Sequence, residues 1–167
     1  MRTFFLCVLC LLSGLGVRAE VIDRVLAVVA GQMILLSDVT AARDLGLQTA
    51  DSAADPVRAV LERLIDRELV LAEVDRYAPP EPDAAAVERE VARVRARFAA
   101  SADFDGALAR SGIDEKHLRE TLRQDLRAAA YLEQRFASAG DRRSQLVAEW
   151  LAGLRRRADV IDLYVSR

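Results

Sequence analysis

The single histidine is the first place to look for chemistry. His117 follows Asp114, Glu115 and Lys116, in what reads as the first turn of a helix. An imidazole works as a base when a nucleophile lies within hydrogen-bond reach and a third group orients it. This spacing supplies neither, so His117 reads as a solvated surface residue. No glycine-rich phosphate loop, G-x-S-x-G elbow or H-E-x-x-H pair occurs. Carboxylates are abundant, with 26 Asp and Glu against 24 Lys and Arg, but many stand three or four residues from an arginine. Arg58–Glu62 and Glu90–Arg93 read as such helix-surface pairs, each contributing about 0.2–0.5 kcal/mol.

Chemistry of another kind is available to the apolar side chains. Phe98, Phe104, Leu108 and Phe136 fall on narrow apolar seams of otherwise charged segments, with Met33 and Tyr131 as outer candidates. More such seams are present than one core needs, and an uncovered apolar groove is a mark of a protein or peptide binder. Trp150, amid Leu146, Val147, Leu151 and Leu154, reads as core instead.

Residues 1–19 read as a secretory signal. Arg2 precedes an uncharged apolar run of about fifteen residues, shorter than the roughly 20 that span a bilayer, and Val17-Arg18-Ala19 offers small residues for cleavage after Ala19. Both cysteines, Cys7 and Cys10, lie in that run. The mature chain, 20–167, is therefore expected to lack disulfides, a thiol nucleophile and a Cys/His zinc site. No metal or cofactor is expected. The acidic excess, with arginines spread along the chain, argues against a nucleic-acid partner. No further apolar run reaches membrane-spanning length. A periplasmic, exported domain is the expectation, large enough to rest on its own core.

The elements that must carry these seams follow from periodicity and punctuation. Val21 to Leu36 predicts a hairpin turning at Gly31, with Val25–Val29 apolar on both faces as a covered strand would be. Ser37-Asp38 predicts an N-cap for a short helix to Asp44, which Gly46 ends. Asp55-Pro56 opens a long central helix to Tyr77, stopped by Pro79-Pro80. Asp83 opens a helix with the seam Val87, Val91, Val94, Phe98. A short helix carries Phe104 and Leu108 and closes at Gly112; Asp114 opens a long one with the stripe Leu118, Leu122, Leu126, Ala129, Leu132, Phe136. On that stripe Tyr131 points to the opposite, polar side. A final helix around Trp150 precedes the strand Asp159–Val165. That lone strand must find a partner for its backbone groups, which predicts a small antiparallel sheet shared by the two ends of a mostly α chain.

This order resembles the N-terminal domain of SurA-type periplasmic chaperones. The resemblance is carried by Val21-Ile22-Asp23-Arg24-Val25, Leu36-Ser37-Asp38-Val39, Leu61-Glu62-Arg63-Leu64-Ile65-Asp66-Arg67-Glu68-Leu69-Val70-Leu71, the helices after Phe104 and Asp114, and the returning Trp150 helix with Val160–Val165. That family normally carries parvulin-type prolyl isomerase domains between the long helix and the returning one; here only Ala137–Arg143 joins them. The resemblance implies a holdase for unfolded outer-membrane or secreted proteins, without isomerase activity. The same seams leave open an accessory or scaffold subunit bound to one folded partner, such as a separate prolyl isomerase, and a homodimer that hides them.

Overall fold

The computed structural model describes residues 23–49 and 53–166; the signal sequence, its cleavage point and the start of the hairpin segment lie outside them. Two strands, β1 (Val25–Val29) and β2 (Gln32–Leu35), form the hairpin. Its turn places Ala30 at φ 49° and Gly31 at φ 85°. Positive φ at both central residues matches the right-handed twist of the flanking strands. Glycine adopts it freely, whereas Ala30 is held there with its N–H donating to the Asp159 carbonyl at 3.2 Å.

Between Val25 and Ala27 the register of β1 slips by one residue, a β-bulge. The extra residue lets Leu26 and Ala27 both turn inward, and both are fully buried. The apolar run in β1 therefore does not come from a strand covered on both faces. Val28, on the outer face, is only half-buried, and it lies beside Met33 on one side and Ile161 on the other.

Six helices follow. Helix α1 spans Leu36–Asp44, and its cap differs from the sequence expectation. Leu35, not Ser37 or Asp38, holds the N-cap position. The Asp38 carboxylate sits in the first turn and reaches back to accept the Leu35 N–H at 2.8 Å. The helix is thus capped by a side chain within it. Helix α2 (Pro56–Tyr77) starts as anticipated: Asp55 accepts the Arg58 N–H at 2.9 Å, and proline occupies the first turn. Asp83 and Asp114 likewise cap α3 (Ala84–Arg95) and α5 (Glu115–Arg135), and Gly112 ends α4 (Ser101–Ser111) in the left-handed region. A single 3-10 turn, Gly140–Arg142, leads into α6 (Arg143–Arg157).

The last strand, β3 (Val160–Asp162), pairs antiparallel with β1, giving the order β2-β1-β3. The two ends of the chain share one sheet, and the fold is mostly α with that small antiparallel sheet, as the patterning implied. β3 is shorter than the apolar alternation from Asp159 to Val165. Its ladder ends where Asp162 accepts the Tyr164 N–H at 3.0 Å and pairs with Arg58. Among the described residues, no helix is long and apolar enough to cross a membrane.

Helix α2 is the spine. Its first half (Val60, Leu61, Leu64, Ile65) packs on the inner face of the sheet and on Leu154 of α6. Its second half (Val70, Leu71, Val74) meets Ala128 and Tyr131 of α5. A separate cluster joins α1, α3, α4 and α5 around Phe104, Leu45 and Leu118. The narrow seam of α3 has its expected neighbour there, since Val91 and Val94 lie with Leu118 and Leu122.

The stripe of α5 is a second correction. Leu118 and Leu122 are buried as expected, but farther along the buried residues are Ala128 and Tyr131, while Ala129 is exposed. Helix α5 packs first against α3 and then crosses α2, so its contacted face rotates along its length. Small Ala128 permits the crossing. Tyr131 packs its ring inside, and its hydroxyl at the rim accepts from the Arg135 guanidinium at 3.2 Å.

Phe104 is 1% exposed at the centre of its cluster. Phe104→Ala should cost about 3–5 kcal/mol by urea unfolding, whereas Ala129→Ser should stay within about 0.5 kcal/mol. Equal effects at the two positions would contradict the packing described.

Candidate functional site

The six apolar candidates do not form one groove. Phe98 and Phe104 meet edge to face, ring centres 5.6 Å apart, with Leu108 in the same cluster. Phe104 and Leu108 are buried, so in this conformation they support the surface without presenting it; Phe98 is half-buried, just beyond the end of α3. Phe136 and Tyr131 lie in a second group, each against Trp150, at 5.8 and 6.1 Å. Arg135 lies over all three of these rings, closest to Trp150 at 5.1 Å. Tyr131, expected on the polar side, is buried, and Tyr77 stacks on it from outside. Met33 stands apart, 63% exposed.

Met33 is the candidate that borders a cleft. A depression of about 310 Å³ lies between β2, α1, α2 and α5, with Met33 and Leu35 on one wall and Ile113 and Thr121 on the other. Leu47 and Leu64 add apolar surface below, and His117 stands exposed at the mouth. A wider and more open depression lies between α3 and α5. Ion pairs bridge it, Arg119–Glu88 at 2.7 Å and Arg123–Glu81 at 2.9 Å. Those groups satisfy one another at the surface, so size alone does not make it the better site.

The floor of the β2 cleft is charged. Arg67, with 15% of its side chain exposed, bonds Glu68 and Asp125, each at 2.5 Å, and donates to the Thr121 carbonyl at 3.2 Å. Burial works against the Arg67 charge, yet Asp125 and Glu68 hold its pKa above the usual arginine value. Glu68 has the opposite fate. Loss of water pushes its pKa above the ordinary glutamate range; Arg67 pulls it back, and the nearby Asp38 and Asp125 push it up again. His117 and Thr121 lie one turn apart on α5, with Asp125 a turn beyond. Asp125 is engaged by Arg67, so the three do not form a relay from carboxylate to imidazole to hydroxyl. What the lining of the cleft offers is shape, apolar contact and charge.

Arg67, Glu68 and Asp125 were not among the sequence candidates. A signal for them existed. Glu68 falls between Leu64 and Leu71, and Asp125 three residues after Leu122, at positions where the apolar stripe of each helix should continue. A charge in that place is either paired or functional.

Comparison with family models finds no match to this chain, and comparison with curated proteins finds none.

The Glu68 environment sets a pH dependence. A carboxyl whose folded pKa lies above its unfolded one binds its proton more tightly in the folded state. Its ionisation therefore lowers stability as pH rises from about the ordinary glutamate value through the folded pKa. Glu68→Gln removes that loss. Its stability relative to wild type should be higher at pH 7 than at pH 4 in urea unfolding. A relative stability that falls with rising pH would show that the Arg67 pair outweighs burial.

Proposed function

We propose that this chain is a periplasmic holdase that binds unfolded outer-membrane or secreted proteins and carries no isomerase activity of its own. The order of elements supports the reading: hairpin, helices, then a helix and strand that return to complete the first sheet. The observation that carries it is the cleft beside β2, with apolar walls and exposed Met33 at its lip. Binding by such a site needs neither nucleotide nor covalent chemistry. Modest apolar burial, offset by ordering of the client chain, gives weak and rapidly exchanging complexes. The export signal supports a periplasmic setting. The short connection between α5 and α6, residues 136–142, supports the absence of an inserted isomerase domain.

The earlier choice of binding residues is narrowed by burial. Phe104, Leu108 and Tyr131 contribute by shaping the helices around the cleft and its flank, while Met33, Phe98 and Phe136 keep exposed surface for a client.

One observation favours a second reading, an accessory subunit bound to one folded partner such as a separate isomerase. Ile161 and Leu163 are each 48% exposed and Val165 72%, three exposed apolar residues at alternate positions. A pull-down separates the two, because a scaffold retains one stoichiometric partner and a holdase retains a mixture.

Purified protein in stoichiometric excess should suppress aggregation of an unfolded β-barrel protein diluted from urea, as followed by light scattering. No suppression at any excess would remove the holdase reading.

A further inference from the structure

Among the described residues, strand β2 is paired along one edge, with β1. The two-residue turn is closed by the pair Val29 and Gln32, and along an antiparallel ladder hydrogen-bonded and non-bonded pairs alternate. Val28 and Met33 are therefore a non-bonded pair. The other side of β1 agrees. The Ala30 N–H donates to Asp159 at 3.2 Å and the Leu163 N–H to Leu26 at 2.9 Å, which assigns the Val28 backbone groups to β3. The N–H and C=O of Met33 thus point away from β1, over the cleft that Gln32 to Leu35 line. Farther along that edge the Leu35 N–H is already taken by Asp38.

The charge beneath that edge is unbalanced. Asp38, Glu68 and Asp125 line the cleft against the one guanidinium of Arg67, which two of them share. A second depression, lined by Gln32, Glu68, Asp75 and Gln124, shares Gln32, Arg67 and Glu68 with the cleft; its Asp75 is paired with Arg127 at 3.1 Å. A free strand edge above an acidic floor, between apolar walls, fits one class of occupant.

We infer that the cleft takes an extended polypeptide segment that adds as a strand to β2 through the backbone of Met33, and that a lysine or arginine of the segment is drawn to Glu68 and Asp38. This rests on the holdase reading and names the segments such a protein would choose: apolar stretches carrying a basic residue. Backbone pairing gives binding that tolerates many sequences, and the side-chain pockets give the preference. Glu68 gains a positive partner that its buried position lacks apart from Arg67.

The test uses the whole mature protein and a short peptide of alternating valine and serine with one central arginine. Two companions carry glutamate in place of that arginine, or N-methyl groups on alternate amides. The parent peptide should slow hydrogen exchange at the Met33 amide, and both companions should bind about tenfold more weakly. Glu68→Gln should level the affinities of the arginine and glutamate peptides, and Glu68→Asp should restore the preference. Met33→Pro, which removes an outward N–H and no ladder bond, should weaken the parent peptide; if that variant does not fold, the N-methylated peptide tests the same bond. Equal binding of all three peptides, or an unprotected Met33 amide, would overturn the site. Suppressed client aggregation together with equal peptide binding sinks this site and leaves the holdase reading. Peptide preference without suppression keeps the site and removes that reading.

Discussion

The pairing of β1 with β3 constrains everything else in this molecule. A two-stranded hairpin alone is marginal in water, and the third strand arrives only after six helices have been threaded between. Side chains secure the junction. Asp162 of β3 pairs with Arg58 near the start of α2, and the Tyr164 hydroxyl lies 2.9 Å from the Asp55 carboxylate that caps that helix. Arg155 of α6 reaches both Glu62 and Asp66 of α2 and donates to the Glu62 carbonyl at 2.9 Å. Glu62 also serves Arg58 at 2.8 Å. The Arg58–Glu62 pair, which read as an isolated surface pair, is therefore part of a network joining the first turns of α2 to β3 and α6, whereas Glu90–Arg93 stays a surface pair on α3. Closing so long a loop costs chain entropy before its contacts repay it, so the sheet is a late and cooperative event in folding.

Most of the architecture was legible because its signals are local. Asp55, Asp83 and Asp114 mark helix starts through one hydrogen bond each, and Gly112 marks an end through a conformation that glycine adopts without strain. The union of β3 with the hairpin followed from an accounting rule: buried backbone groups need partners, and a lone strand has none. One failure is local, the α1 cap, where Asp38 reaches back from inside the first turn; the larger ones are non-local. The turning of α5 toward α2 cannot be read from its own periodicity, because the contacted face changes when the neighbour changes. The bulge that buries both Leu26 and Ala27 mimics the pattern of a strand covered on both sides. For the candidate site, Met33 was named from the sequence as an outer candidate, and it borders the cleft. The charged floor was not, since Arg67 and Asp125 lie far apart in sequence and meet only once α2 and α5 pack.

That charged floor has a structural cost. Arg67 and its two acids are drawn partly out of water, and desolvation raises the Glu68 pKa despite an arginine in contact. A row of leucines would pack at least as well, since replacing a buried ion pair by apolar groups is often neutral or stabilising. The polar floor does what leucines cannot. On the proposed reading, it limits the apolar area a client can bury and gives a preference by charge. A site meant to release its occupant is better served by that arrangement than by a deep greasy pocket.

The two free edges of the sheet are treated differently, and the difference bears on specificity. Exposed edges invite pairing with other chains, and proteins blunt them with charges, short strands or cover. β3 is short, and it ends at Asp162, whose carboxylate accepts the Tyr164 N–H and holds Arg58. β2 carries no charged residue of its own, and Asp38 of α1 caps its edge at Leu35; the rest is walled by α1 and α5, which line the cleft with it. A flat sheet from a second protein cannot approach between two helices, whereas a single extended segment can. On the proposed reading, shape at β2 would exclude sheet-to-sheet aggregation while admitting an unfolded chain, without the stability lost by placing charge in the strand itself.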